Sequence, residues 1–180
     1  YYLKTNNPSH FDNEEILKWR SVNITEIGEF PRSEFIPRGS TALLDAIGLS
    51  LTFFMEKKLK DPSAYDTCTL CVVTDGLENS SVHFNRTKIQ SLIKNAKDTY
   101  NIDMMYLAAN QDAILEASKM GIDAGRAINY TESTECTQAV YRSAARVASD
   151  GRHDSKAQFS QPERQASQPA NRHPHSHPHP

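Results

Sequence analysis

TCTLCVVTDGLENSS, residues 67–81, decides how the rest of the chain is read. An almost continuous apolar run, 67–73, drives straight into Thr74-Asp75-Gly76, a turn signal followed by polar residues. A short apolar run of this kind reads as a strand covered on both faces, as in a parallel sheet. Working outward, STALLDAIGLSLTFFMEKKLK (40–60) carries Leu43, Leu44, Ile47, Leu51, Phe54 and Met55 at helical spacing. Its Lys-rich last turn suits the negative end of a helix dipole. NRTKIQSLIKNAKDTY (85–100) sets Ile89, Leu92, Ile93 and Ala96 on one helical face, and IDMMYLAA (102–109) reads as a second strand. QDAILEASKMG (111–121) predicts a short helix closed by glycine, RAINY (126–130) a brief third strand, and residues 131–148 a final helix. Helices alternating with apolar strands predict an α/β sheet.

The flanks read differently. EEILKWRSVNITEI (14–27) has strand character in pieces, residues 31–40 read as a loop, and YYLKTNNPSHFDN (1–13) shows no clear element. Residues 1–10 are therefore an edge region and 11–148 the domain. From Ser149 to Pro180 the chain turns to Pro, Ser, Gln and Arg with almost nothing apolar, which predicts a disordered tail. Five of the seven histidines lie there, four in the final HPHSHPHP. That tract reads as solvated chain ahead of a loose zinc or nickel site.

The totals exclude several classes. With 180 residues, 38% of them hydrophobic, and a formal charge of −2, the chain suits one domain with a modest core and lacks a nucleic-acid footprint. No apolar run reaches the length of a membrane span. Cys68, Cys71 and Cys136 cannot all pair, and the CxxC at 68–71 lies in a strand, where its two side chains point to opposite faces. The pair reads as two buried core thiols, not a metal or redox site. An odd cysteine count and no signal segment favour a cytoplasmic protein. The N-x-S/T triplets at Asn23, Asn79, Asn85 and Asn129 read as chance products of an Asn- and Thr-rich chain.

In an open α/β sheet, ligands bind beyond the carboxyl ends of the strands. Asp75 lies just past such an end, where a carboxylate suits a hard cation or makes an ordinary turn with Gly76. Ser40 or Thr41 sits where a helix N-cap is expected.

GSTALLDA (39–46), followed by the apolar strand and TDG, resembles the von Willebrand factor type A domain family. YLAANQDA (106–113) is similar to the next strand and loop of its bacterial and phage-like members, and the similarity spans about residues 11–147. The resemblance implies a doubly wound, mostly parallel, Rossmann-like sheet. It also implies Mg2+ or Mn2+ in a metal-ion-dependent adhesion site, with Thr41 and Asp75 matching the family's threonine and aspartate. The family's D-x-S-x-S segment occurs nowhere before Thr41. The expectation is an N-terminally truncated domain with a partial or lost metal site; the alternative is a degenerate member in which residues 1–10 pair with the sheet. The implied function is a non-catalytic protein-binding module whose ion is completed by a partner's carboxylate, with Ser40, Glu78 and Asn79 shaping the approach. Partners in nucleic acid or membrane are not expected. A metal-independent scaffold is the alternative. A magnesium-dependent phosphoryl transferase is a more distant one, because the chain has no D-x-D and no G-x-x-x-x-G-K-[ST]. Asp45 is set aside as a residue one turn into a helix.

Overall fold

A computed structural model describes residues 2–6, 14–19, 23–26, 42–78 and 80–168. Its centre is a three-stranded, all-parallel open sheet in the order β3-β4-β5: Cys68–Thr74, Ile102–Ala108 and Ala127–Asn129. Helices α1 (Leu43–Lys60), α2 (Arg86–Tyr100), α3 (Ala113–Lys119) and α4 (Thr134–Gly151) surround it. This is the α/β alternation expected from residues 40–148.

Local chemistry sets the helix ends. The Asn85 side chain accepts the Lys88 amide at 2.9 Å and opens α2, and Asn101, left-handed at φ 56°, closes it. Ser133 caps α4 through the Cys136 amide. By contrast, α1 begins at Ala42 with no side-chain cap of its own.

Strand β4 is buried on both faces. Met104, Tyr106 and Ala108 pack with Leu44, Ile47 and Leu51 of α1 and Ile89 and Ile93 of α2. Met105 and Leu107 face the other way and join Ile128 against Val140, Ala144 and Val147 of α4. Each such large side chain, fully buried, contributes roughly 1.5–3 kcal/mol, so β4 anchors the domain.

β3 departs from its expectation. Cys68, Leu70 and Val72 pack on the α1/α2 core, but Cys71 is exposed and Val73 is 44% exposed on the opposite face. Among the described residues no strand pairs with its outer edge. The run is an edge strand open on one face, and only Cys136 of the three free cysteines is buried. The two β3 thiols do alternate in direction, as strand geometry demands. The surrounding chain still desolvates both and pushes each up to about 11.

Two flanking regions also differ. Tyr2–Asn6 forms β1, paired antiparallel with β2 (Glu14–Trp19) in a separate sheet, so residues 2–6 pair with β2 and not with the parallel sheet. Residues 149–168, expected to belong to the disordered tail, complete α4, cross back and form α5 (Gln161–Ala166). A few contacts outweigh the polar composition. Phe159 enters the α4 core, Ser167 is fully buried, and Arg146 Nη2 donates to Glu163 Oε2 at 2.8 Å. Arg164 donates to the Ala127 carbonyl at 2.7 Å. The rest of the expected tail, 169–180 with its histidine tract, lies outside the described residues. Among the described residues, no helix is long and apolar enough to cross a membrane.

Candidate functional site

Because the strands are parallel, the segments that follow them (75–85, 109–112 and 130–133) emerge at one edge. The ladder continues one step past the strands: Ala109 N–H donates to Thr74 O at 3.0 Å and Tyr130 N–H to Ala108 O at 3.1 Å. Thr74 is buried, and its hydroxyl both donates to Gly76 O (2.9 Å) and accepts from Gly76 N–H (3.2 Å). This pins the turn that carries Asp75. Gln111 Nε2 donates to the same Gly76 carbonyl at 3.2 Å, tying the second segment to the first. The third is tied in by Asn129, whose side-chain oxygen accepts the Ala113 amide at 2.7 Å. Asp75 itself is exposed and takes no hydrogen bond or ion pair among the described residues. Its charge still reaches Tyr130, whose hydroxyl is pushed up to about 12 by burial first, then by Tyr141, Glu132 and Asp75.

The remainder of the 75–84 segment is fastened to α1 by a reciprocal pair of carboxylates. Glu78 Oε2 accepts the Leu44 amide at 2.8 Å, supplying the cap that α1 lacks, and Oε1 accepts the Ser80 and Ser81 amides at 3.0 and 2.7 Å. Ser81 Oγ accepts the Asp45 amide at 3.0 Å and donates to Glu78 Oε2 at 2.8 Å. In return Asp45, 5% exposed, accepts the amides of Val82 (2.8 Å), His83 (3.0 Å) and Phe84 (2.8 Å). A carboxylate at a helix N-terminus is favoured by the free amides and by the dipole. The Phe84 ring then lies on Gly48, where an added Cβ would sit 2.5 Å from Phe84 Cδ2.

Of the residues singled out from sequence, Asp75 lies exposed at the edge with no partner among the described residues, and Glu78 is committed to the α1 clamp. Ser40, Thr41 and Asn79 lie outside the described residues. No protein-family model matches the chain, and no match is found among curated proteins or solved structures. The described residues contain no group of three or more His, Cys, Asp or Glu side chains placed to hold a metal ion. Asp75 is the one donor of the expected ligand set in view. A single carboxylate does not meet the near-octahedral demand of Mg2+, so the described residues do not by themselves fit the ion.

Sequence reasoning set Asp45 aside and gave Gln111 and Tyr130 no role. The signal for Asp45 was present but ambiguous: an acid in the first turn of a helix commonly faces solvent, and its partners lie in a segment distant along the chain.

Proposed function

We propose that this chain is a protein-binding module, vWA-like in architecture, that presents the carboxyl edge of its sheet to a partner. Asp75 carries this reading: an exposed carboxylate without a partner among the described residues, on a turn pinned by Thr74 and Gln111. Glu78 and Asp112 are occupied with amides, whereas Asp75 and, on the third segment, the exposed Glu132 have no hydrogen bond or ion pair among the described residues; of these two, Asp75 sits on the pinned turn. Three parallel strands in sequential order, helices against both faces of β4 and an open outer edge on β3 support placing them as one part of a larger doubly wound sheet. A binding role also suits the half-buried Cys68 thiol, which desolvation pushes up to about 11 and so makes a poor nucleophile.

The partner's chemistry follows from whether a cation joins Asp75. With Mg2+ or Mn2+ the partner presents a carboxylate. Without one, Asp75 repels a carboxylate and pairs with Lys or Arg. The clamp of Asp45 and Glu78 supports a metal-independent form as well, because hydrogen bonds to α1 tie Ser81, Val82 and Phe84 in place.

The test immobilises the protein and its Asp75→Ala variant and compares the proteins each retains from one extract, in Mg2+ and in EDTA. A set retained by the native chain and lost with Asp75→Ala supports the reading, and loss in EDTA assigns the metal-bridged form. Identical sets from both proteins sink it.

A further inference from the structure

The opposite edge of the sheet holds a second feature. β5 has three residues against seven in β4, and Ala127 pairs with Tyr106, so the first residues of β4 extend beyond the start of β5. A pocket of about 390 Å3 occupies that space, within the size range of small-molecule sites. Its walls come from α2, β4, the 118–126 connection and residues 155–158.

Arg126 lines this pocket and is only 6% exposed. Its Nη1 is buried with no hydrogen-bond partner, and Nη2 reaches only the Ser155 carbonyl, at 3.5 Å, the outer limit of a hydrogen bond. No carboxylate pairs with it among the described residues. A Cβ placed on Gly151 would lie 3.2 Å from Nη2 and 3.4 Å from Nη1, so the end of α4 is bare where the guanidinium rests. Burying a charge without a counter-charge is costly, and a fork of donors left short of acceptors matches an oxyanion in geometry. Lys97 and Lys156 line the same pocket, and neither ammonium has a hydrogen bond or ion pair among the described residues. The acids facing them are Asp103 and Asp123, and Asp123 Oδ1 already accepts the Gly125 amide at 2.7 Å.

We infer that this pocket binds the phosphate group of a small phosphorylated molecule, with Arg126 as anchor and Lys97 and Lys156 at the mouth. Three cations against two acids leave one positive charge in excess, which favours an anion. The space exceeds one phosphate, and Ile93, Ile102 and Ile122 offer an apolar wall for the organic part. This site is separate from Asp75 and stands whether or not the carboxyl edge binds a partner.

The test follows backbone amide NMR signals of the full chain during titration with inorganic phosphate, then with glycerol 1-phosphate, against sodium chloride at matched ionic strength. Saturable shifts are expected at residues 121–126 and 155–158, with the phosphomonoester binding more tightly. Exposed Lys156→Ala should weaken both without altering the melt, and Arg126→Lys, which keeps the charge but removes the fork, should abolish the saturable phase. Two results overturn the inference: shifts that sodium chloride reproduces, or phosphate binding unchanged in Lys156→Ala and in a folded Arg126→Lys protein.

Discussion

The two ends of the parallel sheet are finished in different ways. At the carboxyl end most donors and acceptors are matched, the buried Ser80 hydroxyl excepted: Asp45 takes three amides, Glu78 takes three more and a hydroxyl, and Gln111 closes on Gly76. Among the described residues, the acids left free there, Asp75 and Glu132, are on the outside. At the amino end one free charge, Arg126, is inside, with the exposed Lys97 and Lys156 beside it, and β5 begins short of it. An exposed charge on a rigid frame suits docking with a large partner, whereas a buried one beside a cavity suits a small ligand.

The contrast can be broken most forcefully at Asp45. Asp45→Ala orphans three amides and releases the segment that carries Asp75. Hydrogen bonds to a charged acceptor are strong, so a loss of roughly 3 kcal/mol is expected in urea unfolding. A loss below about 1 kcal/mol would mean that the clamp is ornamental. Gly48→Ala attacks the same frame from beneath, through the 2.5 Å approach to Phe84. Overpacking of this kind costs about 1–3 kcal/mol, and the combination with Phe84→Leu should recover part of it.

A smaller effect separates the end of the described chain from the frame. Arg146 holds the Glu163 carboxyl down to about 2 from its ordinary 4.5. A depressed carboxylate contributes stability that is complete above about 4.5 and is lost as pH falls toward 2. Arg146 is 40% exposed, so solvent screening limits the contribution to about 1 kcal/mol. Glu163→Gln should melt earlier at pH 7, and the difference should vanish near the bottom of that window. A constant difference across pH would contradict the pairing. Smallest of all, Asp75→Ala should leave stability within about 0.5 kcal/mol, because its carboxylate is exposed and holds no group among the described residues.

Much of this architecture was legible in the chain. The apolar runs at 67–73 and 102–109 and the helical spacing between and after them located three strands and four helices, since burial leaves a period in the sequence. Asp75 was legible for the same reason, as the first charge after a strand. An apolar run does not distinguish a central strand from an edge one, so the exposure of Cys71 and Val73 was not foreseen. Residues 2–6, YLKTN, have too little alternation to announce β1. The order of 149–168 rests on one aromatic, Phe159, and on Arg146 and Arg164 reaching across, which composition averages away. The Asp45–Glu78 clamp joins residues related only through the fold.

The most direct test of the carboxyl edge as a recognition surface is a matched pair of exposed aspartates at the two ends of β3. Asp75 follows the strand and Asp66 precedes it. Asp75→Ala and Asp66→Ala would be immobilised beside the native protein and compared for the proteins retained from one extract. The expected result is loss of retained proteins with Asp75→Ala and full retention with Asp66→Ala. Equal retention by all three, or equal loss in both variants, would contradict the assignment of recognition to this edge.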